Sequence, residues 1–151
     1  MYGAYTVFNV GTDKTIVVTN LSTGANVLLG GRVTEIQSAS KDQLITSQPI
    51  DNGGRVDHRV LPEGWSGTLT VDRANGDADN LKAMLDAAFY AGQGQVFFSI
   101  LETITNQSDG TTNQFQYTNV VLHEFDGGAW RKDKVPTKIQ FAAQERLAVG
   151  F

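Results

Sequence analysis

The chain has 151 residues, 40% of them hydrophobic, with a formal net charge of -4 and no cysteine. That length suits one domain spanning residues 1–151 whose core needs no staple, and the missing thiols exclude disulfides, thiolate metal sites and a cysteine nucleophile. The 12 basic residues are scattered against 16 acidic ones, which disfavours tight binding to phosphate backbones.

No basic segment followed by an apolar run opens the chain, and no later stretch approaches a membrane span. A soluble product made in the cytoplasm, without membrane insertion, is expected. Sixteen glycines against three prolines suit many hairpins and few rigid linkers, so the expected class is mainly β.

In chain order, Ala4 to Asn9 and Thr15 to Thr19 are short β-branched or aromatic runs around Gly11-Thr12-Asp13-Lys14, which predicts a first hairpin. In Val27 to Ile36 the pair Gly30-Gly31 interrupts a strand-like pattern and predicts a bulge or bend. Gln37 to Asn52 is polar around an apolar island at Leu44-Ile45, and reads as a long loop, either a binding element or an ordinary exposed one. Strand character returns over Gly54 to Leu61, where Arg55, Asp57 and Arg59 alternate with Val56, His58 and Val60. That charged face is wet or meets a charged partner.

In Trp65 to Asp72, Trp65, Gly67, Leu69 and Val71 face one way and Ser66, Thr68, Thr70 and Asp72 the other, the period of a half-buried strand. After Asn75-Gly76 the period becomes helical, with Leu81, Met84, Leu85, Ala88 and Phe89 as the apolar stripe. A single helix over residues 77–91 is predicted, with Asp77 as N-cap, Asp79 at the positive end of the dipole and Gly92 as the left-handed stop. Gln95 to Ile104 and Phe115 to Phe125 form a hairpin. Centred on Asp109-Gly110, it pairs Ile104 with Phe115, Glu102 with Tyr117, Ile100 with Asn119 and Phe98 with Val121, buried at its root and projecting at its polar tip. After Asp126-Gly127-Gly128 comes a final strand in which Val135, Thr137, Ile139, Phe141 and Ala143 face the core and Pro136, Lys138, Gln140, Ala142 and Gln144 do not. Pro136 lacks a ladder donor, which predicts an edge position or a bulge.

Catalytic signals are weak throughout. His58 and His123 sit in strand patterns, and Gly64-Trp65-Ser66-Gly67 lacks the spacing and the following helix of a nucleophile elbow. Asp72, Asp77 and Asp79 do not match a calcium loop and are explained by helix capping. No enzyme, metal or cofactor is expected.

One ordering of elements carries a resemblance. A strand ending Thr70-Val71-Asp72-Arg73 leads to a single helix with an acidic start, which ends Phe89-Tyr90-Ala91-Gly92. Thr103-Ile104-Thr105, Tyr117 to Leu122, Asp126 to Trp130 and Ile139 to Arg146 then follow. Residues 64–146 so arranged resemble a bacteriophage tail tube protein of the contractile-tail type, a fold shared with the tube of type VI secretion machines. No appended immunoglobulin-like domain is recognised. The resemblance implies a β-sandwich or barrel with one flanking helix, assembled as stacked hexameric rings around a channel for DNA that is not specifically bound. It also implies a tail sheath, baseplate and terminator proteins as partners, and the virion as location. A baseplate or tube-capping component of the same fold, or a monomeric β-sandwich binding module, are the alternatives.

Two sets of residues follow as expectations. Subunit or ring contacts are assigned to Lys41, Asp42, Asp51, Arg55, Asp57 and Arg59 in the polar segment, and to Asp109 at the hairpin tip. The channel wall is expected to be polar and not basic. One candidate row is Ser66, Thr68, Thr70 and Asp72, and another is Lys138, Gln140 and Gln144.

Overall fold

The alternation in residues 65–72 and 135–143 sets the architecture, because two strands with one apolar face each can bury those faces only against a second layer. A computed structural model describes residues 9–27, 33–50 and 53–150. After a 3-10 turn at Gly11–Asp13 come β1 (Lys14–Asn20), β2 (Asn26–Val27), β3 (Val33–Ser47), β4 (Asp57–Asp72), α1 (Asp77–Tyr90), β5 (Phe98–Thr105), β6 (Thr112–His123), β7 (Pro136–Ala143) and β8 (Glu145–Gly150). All pairings are antiparallel, in the order β2-β1-β5-β6-β7-β4-β3, with β8 also on β6.

The sheet folds over itself at β6, which pairs with β5 along one border and with β7 and then β8 along the other. The hydroxyl of Tyr117 on β6 donates to Ser38 Oγ on β3 at 2.9 Å, across the sandwich rather than along the sheet. Leu69, Val71, Ile139 and Phe141 from one layer meet Phe98, Ile100, Tyr117 and Val120 from the other, all essentially without exposure. Each such side chain contributes about 1.5–3 kcal/mol on burial. Val18 of β1, Leu122 of β6, Ala143 of β7 and Ala78 and Leu81 of α1 complete this cluster. The fold is therefore mainly β, a sandwich with one flanking helix.

β7 follows the expected alternation at every position from Thr137 to Ala143. Its place does not: it lies inside the sheet, between β4 and β6. Pro136 is tolerated because it is the first residue of the strand, paired only with Asp72, so no ladder donor is needed on its other side. The final strand also runs further than expected. It bends at Gln144 and continues as β8, in the same register against β6: Val121 pairs with Ala142 before the bend, and Thr118 with Glu145 after it. Opposite the bend, Asn119 takes a left-handed φ of 46° and its amide donates to the Gln144 side chain.

The helix spans Asp77–Tyr90 as expected, but Asp77 is not its cap. Asn75 Oδ1 accepts from the Asp77 backbone N–H in an Asx turn and Gly76 occupies the cap position, so the turn that ends at Asn75-Gly76 already orders the first donors. Arg73 pairs with Asp79. At the other end Gly92, with φ 75°, donates to the Phe89 carbonyl and Gln93 to the Ala88 carbonyl, a Schellman stop. The apolar stripe is buried only at its start: Leu81 is in the core and Leu85 is partly covered, while Met84 and Phe89 are exposed.

The β5–β6 hairpin forms in a register shifted by two residues, with Glu102 opposite Phe115 and Ile100 opposite Tyr117. Asp109 explains the shift. Its carboxylate accepts from both the Thr111 backbone and hydroxyl, so the loop closes over Asn106–Thr111 instead of a two-residue turn. Side-chain period in a strand is two, so the expected faces survive near the tip. Between Phe98 and Ile100 an irregularity then places Phe98 opposite Val120.

The largest departure is at residues 37–52. Expected as a loop, most of this stretch is instead the outer half of β3, paired with β4 from Val33 opposite Val71 to Ser47 opposite Asp57. Its polar composition hid the strand because neither face is buried. β1 pairs with β2 and β5. The expected strand over Ala4 to Asn9 and the bend at Gly30-Gly31 fall mostly outside the described residues.

Candidate assembly surfaces

Beyond the sandwich, β3 and β4 continue as an arm. Every described residue from Ala39 to Gln48 and from Gly53 to Glu63 is exposed. Six rungs from Asp42–Pro62 to Ser47–Asp57 hold it together. At about 3.3 Å per rung it reaches roughly 20 Å beyond the sandwich. The branching point is Gly64, with φ 100°, where an added Cβ would lie 2.5 Å from the Ala143 carbonyl oxygen. There β4 parts from β7 and turns outward.

Directly opposed residues share a face, so Leu44 and Val60 lie together with His58 and Thr46, whereas Ile45, Leu61, Arg59 and Asp57 lie on the other face. Leu44 is 62% exposed and Val60 56%. The expected contact residues Lys41, Asp42, Asp57 and Arg59 all fall on this arm, and Arg55 in the loop that closes it. Asp51 lies outside the described residues. Asp109 sits apart, on the β5–β6 tip, and its bonds to Thr111 hold its carboxyl below the usual carboxylate range; its carboxylate shapes the turn.

The outer border of β3 has no partner strand among the described residues, and β2 ends the other side of the sheet. A long strand border with unpaired N–H and C=O groups is a template for another chain.

The two candidate channel rows prove to be one surface. Thr68 is opposite Gln140, Thr70 opposite Lys138 and Ser66 opposite Ala142, so the β4 row and the β7 row adjoin on the outer face. Glu35 and Gln37 of β3 extend it, opposite Thr70 and Thr68. A shallow hollow of about 340 Å³ runs across it, bordered also by Glu124 and Asp126. Among the described residues, Lys138 is the one Lys or Arg lining that hollow, against three carboxylates. Gln144 leaves this row, since it lies at the bend toward β8.

A second feature has no counterpart among the expected sites. Glu102 is wholly buried, with Arg146 Nη2 at 2.7 Å and Lys14 Nζ at 3.4 Å from its two carboxylate oxygens. Tyr117 Oη lies 3.3 Å from Glu102 Oε2. The guanidinium of Arg146 stacks 3.7 Å from the Phe115 ring centre and 4.9 Å from that of Trp65. Burial pushes the Tyr117 phenol above its ordinary value, against the hydrogen bond to Ser38. This network ties β1, β5, β6, β8 and β3 together at one end of the sandwich. The available signal was a Glu at an inward position of the apolar row Phe98, Ile100, Ile104.

Among the described residues, no three His, Asp or Glu side chains converge as metal ligands would. No helix among the described residues is long and apolar enough to cross a membrane.

No family model and no curated protein sequence matches this chain. Solved structures do. A chain of the anti-feeding prophage cap, described as its tube terminating cap, superposes with a TM-score of 0.65 at 14% identity, over 99% of this chain and 97% of that one. A chain from the sheath-tube complex of the extracellular contractile injection system PVC gives 0.62 at 12% identity, covering 90% and 88%. The SPP1 tail tube gives 0.61 at 19% identity, covering 94% and 79%. The fold of this chain is the phage tail tube-like fold.

Proposed function

We propose that this chain is a structural subunit of a bacteriophage tail, forming hexameric rings that stack into a tube for DNA passage. The arm carries the reading. A two-stranded ribbon exposed on both faces is marginal in water, and this one also displays Leu44, Ile45, Val60 and Leu61. Contacts with neighbouring copies would stabilise it, and closure of a ring would cover the open border of β3. The role is non-enzymatic and needs no cofactor. Sheath, baseplate and terminator proteins are the partners, and the assembled virion tail is the location.

The outer face of β3, β4 and β7 is assigned to the channel wall, through Ser66, Thr68, Thr70, Asp72, Lys138 and Gln140. Its balance of three carboxylates to one lysine around the hollow repels a phosphate backbone and lets DNA slide. Lys41, Asp42, Asp51, Arg55, Asp57 and Arg59 are assigned to contacts between rings, and Asp109 to a contact at the second hairpin tip.

The arm supplies the test. Removing residues 43–61 and joining Asp42 to Pro62 through a two-residue Asn-Gly turn deletes the outer parts of β3 and β4 together, so the sandwich keeps its pairing. A folded monomer that forms no particles is expected, against tubes of uniform width from the parent chain in micrographs. Normal tubes from the truncated chain would refute the assignment. A tube-capping component is the second reading, favoured by the near-complete superposition on the anti-feeding prophage cap. Single rings that never elongate would select it.

A further inference from the structure

Asn75-Gly76 joins β4 to α1, and nothing in the fold asks for glycine there. Gly76 takes φ -88°, which any residue adopts, and an added Cβ would meet no atom nearer than 3.8 Å, the Asn80 side-chain amide. Gly92, Gly110 and Gly128, by contrast, hold left-handed backbone with φ 75°, 74° and 89°. What the missing side chain at position 76 does leave is an open approach to the backbone nitrogen. Among the described residues, the Gly76 N–H has no hydrogen-bond partner.

Asn75 is exposed, and its Oδ1 accepts from the Asp77 backbone N–H at 2.9 Å. That donor belongs to the first turn of α1, where the backbone carries its partial positive charge. It holds the oxygen on which negative charge develops when a nucleophile adds to the Asn75 side-chain carbonyl, as an oxyanion hole does. Side-chain charge is not the source of this: Arg73 is paired with Asp79, and Asp77 follows directly.

We propose that Asn75 is a self-modification site, at which the Gly76 nitrogen attacks the Asn75 side-chain amide and water completes its conversion to a carboxylate. The nitrogen gives its proton to water as its bond to Asn75 Cγ forms. The Cγ–Nδ2 bond breaks, and ammonia leaves with a proton taken from water. A second water then opens the resulting succinimide at either carbonyl. Opening at Cγ leaves an ordinary aspartyl residue, whose carboxylate still accepts from Asp77. Opening at the main-chain carbonyl leaves an isoaspartyl residue, which lengthens the backbone by one methylene between β4 and α1, so the Asx turn is lost and the entry of the helix altered. Nothing is oxidised or reduced, and the site does not depend on whether copies assemble.

Trypsin supplies the readout, because cleavage after Arg73 and Lys82 releases residues 74–82 with both Asn75 and Asn80, the latter exposed but followed by Leu81 within α1. The purified chain is incubated at physiological pH beside a synthetic peptide of residues 74–82, and conversion is followed by mass spectrometry and isoaspartyl methyltransferase labelling. Conversion of Asn75 in the folded chain is expected at a rate no lower than in the peptide, with Asn80 unchanged. Gly76→Ala is expected to keep the fold by circular dichroism, since its Cβ has room, and to slow conversion about tenfold or more. Asn75 that stays intact in the folded chain while the peptide converts overturns the proposal, because the fold would then hold the two groups apart. Undiminished conversion in Gly76→Ala overturns it as well, and so does equal loss of amide at Asn75 and Asn80.

Discussion

Replacing Glu102 by Gln tests whether the buried network is held by charge. In the folded chain Glu102 has no exposure, Arg146 is 19% exposed and Lys14 31%, so the two cations are not equivalent. Lys14 can turn to water when the carboxylate is lost. Arg146 cannot do so without leaving the rings of Phe115 and Trp65, and it remains a largely buried cation without a counter-charge. Breaking one side of a buried pair costs about 3–5 kcal/mol; the solvent relief at Lys14 and the aromatic stacking at Arg146 put this case near the lower end, about 3 kcal/mol. For a chain of this size that is a fall of roughly 6–12 °C in Tm. The assay is urea unfolding followed by circular dichroism, at a concentration where no particles form. Glu102→Leu combined with Arg146→Met removes both charges and is expected to recover most of the loss, giving a coupling of about 2 kcal/mol or more in the double-mutant cycle. A cost below about 1 kcal/mol for Glu102→Gln would refute the argument, because it would mean that Arg146 finds solvent as readily as Lys14 does.

Further outcomes are expected from the same geometry. Gly67→Ala would place a Cβ 2.0 Å from the Gln37 carbonyl oxygen and 2.8 Å from the Phe141 ring, separating β3 from β4. A loss of at least about 1–3 kcal/mol by urea unfolding is expected, and a neutral result would contradict the close approach of the two strands. Because burial raises the Tyr117 pKa in the folded chain, the unfolded chain gives up this proton first. The associated stability is complete below about pH 10 and is lost as pH rises through the folded value, so Tyr117→Phe should flatten the alkaline fall in unfolding free energy. Absorbance titration of the phenolate band should lose a late-titrating group in the same variant. Asp109→Ala should leave the core intact and speed amide exchange at residues 106–111, since only the tip depends on its bonds to Thr111. Assembled particles should not retain double-stranded DNA at physiological salt, and tight salt-sensitive retention in a filter assay would refute the assigned channel wall.

What could be read without coordinates was whatever one period of side chains decides. Thr137, Ile139, Phe141 and Ala143 alternate inward as their spacing required, and Leu81 begins the apolar stripe of a helix stopped by Gly92, because burial on one face and left-handed backbone are local demands. The two polar rows, Ser66, Thr68, Thr70 and Asp72 on one strand and Lys138 and Gln140 on the other, were visible too, but only strand pairing made them a single surface. Residues 37–47 were illegible as a strand. A ribbon wet on both faces has no apolar period, and its partner residues lie from 10 positions away, Ser47 to Asp57, to 31, Gln37 to Thr68. Glu102 and Arg146, 44 residues apart, carry no mark of each other in the sequence. Their pairing exists because β6 accepts β5 on one border and β8 on the other, and only that three-strand arrangement brings a buried carboxylate and its cation together.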